Sequence, residues 1–139
     1  MQQQKKILVI DDDPDLVAAV EAVLKSKPYH VVTAFDGVEG LQKVLDERPD
    51  LIILDVIMPK KNGFEVCKEL KTDPRYHFFS KIPVLLLTVY PQDREKLHLS
   101  MREGMVMEAE EYIQKPFDPY ELLERAEKLI ETAQRPKSV

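Results

Sequence analysis

Five times along this 139-residue chain, a short apolar run gives way to a turn and then to a stretch with helical periodicity. Ile7–Ile10 is a compact strand-like run ending in acids. Leu16, Val17, Val20, Val23 and Leu24 follow at helical spacing behind Pro14, a residue suited to a first turn. His30–Phe35, β-branched and aromatic, is closed by Asp36-Gly37 and followed by the stripe Val38, Leu41, Val44 and Leu45. Leu51–Leu54 is apolar on both faces, as a central parallel strand should be. After a Pro59…Asn62-Gly63 loop, Phe64, Cys67 and Leu70 mark a third helix. Pro83–Leu87 reads as the fourth strand, with proline at its first position, where it does least harm. Residues 92 to about 107 read as a fourth, less cleanly amphipathic helix, and Tyr112-Ile113 as a short last strand. Leu122, Leu123, Ala126, Leu129 and Ile130 line a fifth helix.

Strands alternating with helices call for an open parallel sheet covered on both faces, because neighbouring parallel strands need a right-handed crossover. Five units suit an α/β, doubly wound, flavodoxin-like sheet in the order 2-1-3-4-5, with five helices. That order sets the first and third strands side by side with the topological switch between them. Ligands bind outside the carboxyl ends of strands at such a switch, so function is sought in the last residue or two of each strand. One domain is expected over residues 5–132, followed by a short polar tail, 133–139.

The balance of 44% hydrophobic and 32% charged residues is that of a soluble globular chain. A net charge of −5 argues against a general nucleic-acid binder, which needs a basic excess to neutralise phosphates. No apolar run approaches the roughly 18 residues of a membrane span, and the Gln- and Lys-rich start lacks the apolar core of a secretory signal. A single cysteine, Cys67, favours a reducing compartment, so the cytoplasm is expected.

At the strand ends stand Asp11-Asp12-Asp13, Asp55, Thr88 and Lys115-Pro116. In the proposed order these strands are neighbours, and carboxylates, a hydroxyl and an ammonium converge on one rim. Clustered carboxylates either shift their pKa values upward or bind a cation. A hard divalent ion fits, Mg2+ being the usual choice where phosphate is also handled. Lys115 supplies a second positive point, and Thr88 a neutral donor. A carboxylate attacking phosphorus is established chemistry for aspartyl-phosphate formation.

Ile7-Leu8-Val9-Ile10-Asp11-Asp12-Asp13, Leu54-Asp55-Val56-Ile57-Met58-Pro59…Asn62-Gly63, Leu87-Thr88 and Tyr112-Ile113-Gln114-Lys115-Pro116-Phe117 occur in that order. Together they resemble the signature of the response regulator receiver family, over nearly the whole chain. The resemblance implies that Asp55 is the phosphoacceptor. Asp11, Asp12, Asp55 and the backbone carbonyl of Ile57 would hold Mg2+, Lys115 would bond the phosphoryl oxygen, and the Lys115-Pro116 peptide would be cis. Thr88 and Tyr112 would form the switch, and the face of the fourth helix, fifth strand and fifth helix would be the readout or homodimer surface. The implied partners are a histidine kinase or histidine phosphotransfer protein, and an output domain or downstream protein. The domain itself is expected to bind neither nucleic acid nor membrane, and to act as a switch rather than as an enzyme on other substrates.

The sequence departs from the family in places. Val89 follows Thr88 where a smaller residue is usual, which predicts slow loss of the phosphoryl group. The segment 104–111 is longer than usual by about four residues. The aromatic loop Tyr76-His77-Phe78-Phe79-Ser80-Lys81 is also long, and packing against the edge of the fourth strand is favoured over a partner patch. Asp13 and Asp15 read as a helix N-terminus rather than as ligands. A calcium loop on Asp11, Asp13 and Asp15 fails, because Leu16 stands where glycine is needed and Ala22 where glutamate is needed. A flavodoxin-like cofactor carrier fares no better, since carboxylates occupy its anion-binding position. The remaining alternative is an Asp-nucleophile phosphatase using Asp11 and Asp13.

Overall fold

In a computed structural model of the chain, residues 4–58, 60–88 and 109–134 are described. Five strands, β1 (Lys6–Ile10), β2 (His30–Ala34), β3 (Leu51–Asp55), β4 (Val84–Thr88) and β5 (Glu111–Gln114), form one parallel sheet in the order β2-β1-β3-β4-β5. This is the flavodoxin-like order expected from the alternation. Helices α1 (Pro14–Leu24), α2 (Gly37–Glu47) and α3 (Gly63–Thr72) fill the crossovers described, a 3-10 helix, Pro74–Phe79, follows α3, and the C-terminal α4 (Pro119–Gln134) follows β5. The C-terminal helix is the fifth of those expected. The fourth, at 92–107, lies outside the described residues, as do Pro59, Val89, most of the lengthened segment 104–111 and the end of the tail.

The strand alternation accounts for the two-sided core. Leu8, Ile10, Ile52, Leu54, Val84 and Leu86 face α2 and α3, where they meet Leu41, Val44, Val66, Cys67 and Leu70. Ile7, Val9, Leu51, Ile53, Leu85 and Leu87 face α1 and the C-terminal helix, against Val17, Val20, Leu24, Leu122 and Ala126. Each such side chain contributes about 1.5–3 kcal/mol by leaving water. β3 is buried along its whole length, as a strand covered on both faces must be. Among the described residues no helix is long and apolar enough to cross a membrane.

Short polar side chains start the helices. Asp13 caps α1 by accepting the Asp15 amide at 3.0 Å, Asp36 caps α2 through Glu39 at 2.8 Å, and Asn62 caps α3 through Glu65 at 2.9 Å. The expected helix-start role of Asp13 is therefore observed. The aromatic loop divides: Tyr76 is buried and Phe79 packs against the core, but Phe78 points outward.

Candidate functional site

β1 and β3 are neighbours with Ile10 opposite Leu54, so the residues that follow them, Asp11 and Asp55, come up on the same rim. β5 pairs with β4 so that Gln114 lies opposite Thr88, and the Lys115 amide then donates to the Thr88 carbonyl. Lys115 thus starts its reach toward the acids from a fixed backbone position, and the Lys115-Pro116 peptide is cis, as expected.

The loop after β3 is held close by two glycines. A Cβ at Gly63 would be driven into the carbonyl oxygen of Asp55, while the Gly63 amide donates to the Val56 carbonyl at 2.8 Å. A Cβ at Gly37 would come within 2.5 Å of the Lys61 carbonyl oxygen. Lys60 takes the left-handed conformation, φ 68°, and its ammonium lies 3.3 Å from the carboxylate of Asp36 at the start of α2. Lys61 pairs with Glu69, nearly two turns along α3.

Asp11 and Asp55 are both buried, whereas Asp12 faces solvent. Asp11 Oδ1 accepts the Asp13 amide at 3.0 Å, and its Oδ2 accepts from Lys115 Nζ at 2.9 Å. Lys115 Nζ also lies 3.1 Å from Asp55 Oδ1, an ion-pair distance. Its line of approach is poor, and that buried oxygen accepts no hydrogen bond among the described residues. Carboxylate oxygens of Asp11, Asp12 and Asp55 all fall within 4.8 Å of one another. An orphaned buried oxygen of Asp55, beside the two acids Asp11 and Asp12 and a single ammonium, belongs to a donor set short of positive charge. That is the arrangement a hard, oxygen-seeking cation completes.

Electrostatics agrees with the geometry. Burial, then the charge of Asp11, pushes the Asp55 carboxyl up to about 7, with Lys115 opposing. Burial also raises Asp11, against the Asp13 amide and Lys115. For Lys115 burial works downward, but the hydrogen bond to Asp11 and the charges of Asp55 and Asp11 outweigh it, and the ammonium is held above its usual range.

The acids and Lys115 are therefore brought together, as expected. Thr88 closes β4 on the same rim, though among the described residues no hydrogen bond joins its hydroxyl to Asp55 or Lys115. Tyr112 lies on β5, opposite Leu86, and remains 37% exposed. Ile57 is two residues past Asp55 with its side chain half in water, which suits a position where only a carbonyl is needed. Sequence reasoning did not find the Lys60–Asp36 pair or the resting contact between Lys115 and Asp11. The signal for the second was the topology itself, which puts both residues at the switch.

A family model described as "Response regulator receiver domain" matches residues 7–127. The chain belongs to that family. The receiver is 38% identical over 126 residues to the alkaline phosphatase synthesis transcriptional regulatory protein PhoP of Bacillus subtilis, covering 91% of this chain and 48% of PhoP. It spans about half the length of several of the curated relatives it matches. Among solved structures, the chemotaxis response regulator CheY4 of Vibrio cholerae superposes with a TM-score of 0.74 at 33% identity, covering 91% of this chain and 99% of that one. The signal receiver domain of a signal transduction histidine kinase from Syntrophus aciditrophicus gives 0.80 at 28% identity, covering 97% and 96%. The receiver is a phosphoacceptor switch module of two-component signalling.

Proposed function

We propose that Asp55 accepts a phosphoryl group from a phosphohistidine donor. A carboxylate oxygen of Asp55 forms the new O–P bond as the N–P bond breaks, and the histidine leaves with a proton. The observation that carries this is the buried Asp55 oxygen without a hydrogen bond, 3.1 Å from the Lys115 ammonium and among three acids. Asp11, Asp12, Asp55 and the Ile57 carbonyl would hold Mg2+, which would supply positive charge to the transferring group. Lys115, hydrogen-bonded to Asp11 and 3.1 Å from Asp55, would turn to a phosphoryl oxygen. The chain catalyses only the gain and loss of its own phosphoryl group.

The added charge of about −1.5 to −2 rewards a hydroxyl donor drawn inward, and Thr88 is the hydroxyl at that rim. Tyr112, half-exposed on β5, is the second switch residue. The face of β5 and the C-terminal helix, with the helix expected at 92–107, would carry the signal to an output domain, a downstream protein or a second copy. A histidine kinase or phosphotransfer protein is the donor.

The phosphatase alternative needs Asp11 as nucleophile and Asp13 as acid. Asp13 is occupied as the cap of α1, and Asp11 is held by both Lys115 and the Asp13 amide, which disfavours it.

Incubation with acetyl phosphate and Mg2+, read by intact mass, tests the proposal. A phosphate adduct on wild type that is absent in Asp55→Asn is expected. An adduct that persists in that variant, or phosphomonoester turnover that depends on Asp11 alone, would reject it.

A further inference from the structure

At the opposite end of the sheet from the acids, Arg48, Pro49, Phe78, Phe79 and Ile82 line a groove of about 520 Å3. It adjoins the first residues of β3 and β4, a strand length (roughly 15 Å) from the phosphoacceptor rim. Phe78, at its edge, is 91% exposed. The ring therefore stands in water beside the apolar lining of the groove.

The loop that presents Phe78 is fastened. Asp73 caps the 3-10 helix through the Arg75 amide at 2.9 Å, and the Ile82 amide donates to the Phe79 carbonyl at 3.1 Å. The Lys71 ammonium, whose side chain is only 4% exposed, donates to the carbonyls of Ser80 at 2.8 Å and Ile82 at 2.9 Å. His77 meets the Phe78 ring edge-on, with centroids 5.6 Å apart. A fastened backbone that presents an aromatic beside an apolar groove has already met part of the ordering cost of binding.

The charge at the groove selects the occupant. The acids nearest Arg48 in sequence are engaged elsewhere: Glu47 pairs with Lys6 at 3.4 Å, Asp50 accepts the Lys6 amide at 2.8 Å, and Asp46 accepts from the Gln42 side-chain amide at 3.1 Å. Among the described residues Arg48 has no ion-pair partner, and exposed Lys81 adjoins Ile82. A second copy would set Arg48 and Lys81 against their own equivalents. The chain's residues 135–139, with Arg135 and Lys137, have the same sign.

We propose that this groove docks a partner protein segment that presents a bulky apolar side chain beside a carboxylate. The test is a 15N-resolved titration of the whole chain with the capped peptide acetyl-DELF-amide and its uncharged counterpart acetyl-NQLF-amide. Saturable shifts are expected at the amides of Arg48, Phe78, Phe79 and Ile82. The acidic peptide should bind about threefold to fivefold more tightly, the range of an exposed ion pair. Arg48→Gln should remove that difference, and Phe78→Ser should weaken both peptides about tenfold. Both side chains are exposed, so the variants should melt like wild type and still take a phosphoryl group from acetyl phosphate. Shifts elsewhere, or none, or equal affinity for the two peptides in wild type, would overturn the proposal. So would self-association that Phe78→Ser abolishes, which would assign the groove to a second copy.

Discussion

Asp55 and Asp11 lie buried together with one ammonium shared between them, so each carries a measurable cost. The folded-state pKa of Asp55 is about 7, against about 3.9 for an unfolded aspartate. Between those values the folded chain binds the extra proton, so this residue's contribution to stability falls as pH rises from 4 through 7. Asp55→Asn removes the charge and is expected to be more stable than wild type at pH 8 in metal-free buffer, by about 1–3 kcal/mol. The advantage should fade as pH falls below 7. Urea unfolding at both pH values checks it, and a less stable variant at pH 8 would contradict it. Lys115→Met acts in the opposite sense, because it leaves two buried carboxylates facing each other. A loss of about 3–5 kcal/mol is expected at pH 8, shrinking at pH 5 as an acid takes up a proton. Equal losses at the two pH values would show that the ammonium matters for packing rather than charge.

Between elements, close backbone approach and one buried cation set the geometry. Gly63→Ala forces a methyl group toward the Asp55 carbonyl, which neither strand nor loop can yield without moving the acceptor. A destabilisation of about 2 kcal/mol or more and slower labelling by acetyl phosphate are expected. Wild-type labelling in that variant would show that the loop can shift independently of Asp55. Lys71 joins α3 to the approach to β5: besides the two carbonyls, it lies 3.3 Å from Glu110, whose other oxygen accepts the Val84 amide at 2.6 Å. Lys71→Met should cost about 2–3 kcal/mol and speed hydrogen exchange at Tyr112 and Ile113 more than at β1. These elements differ in how well the sequence announced them. The strands and helices were legible because period-2 and period-3.6 patterns are local, and so was the Asp13 cap. The Lys71–Glu110 contact spans 39 residues, and no local pattern marks it. The outward turn of Phe78 was hidden because the 3-10 helix bends at Tyr76, φ −108° and ψ 18°, which breaks the periodicity that would have assigned a face.

Across the whole molecule, the sheet is covered on both sides and its strands are short, so the rim cannot loosen without disturbing either core. Asp11 follows directly on β1 and Asp55 ends β3, strands whose side chains are buried along all or nearly all of their length. Any ligand that binds only this assembled rim therefore adds its binding free energy to global unfolding. Mg2+ at one hundred times its dissociation constant should stabilise the whole domain by about 2.7 kcal/mol. The gain should be larger at pH 8 than at pH 5, because protonating Asp55 removes a ligand charge and the raised pKa places that loss near 7. Asp12→Asn, an exposed change that leaves both cores intact, should shrink the gain while barely altering the metal-free melting temperature. Thermal melts across a Mg2+ series separate the outcomes. A metal-induced shift that is the same size in Asp12→Asn would place the ion elsewhere, and one that survives unchanged at pH 5 would remove Asp55 from its ligands.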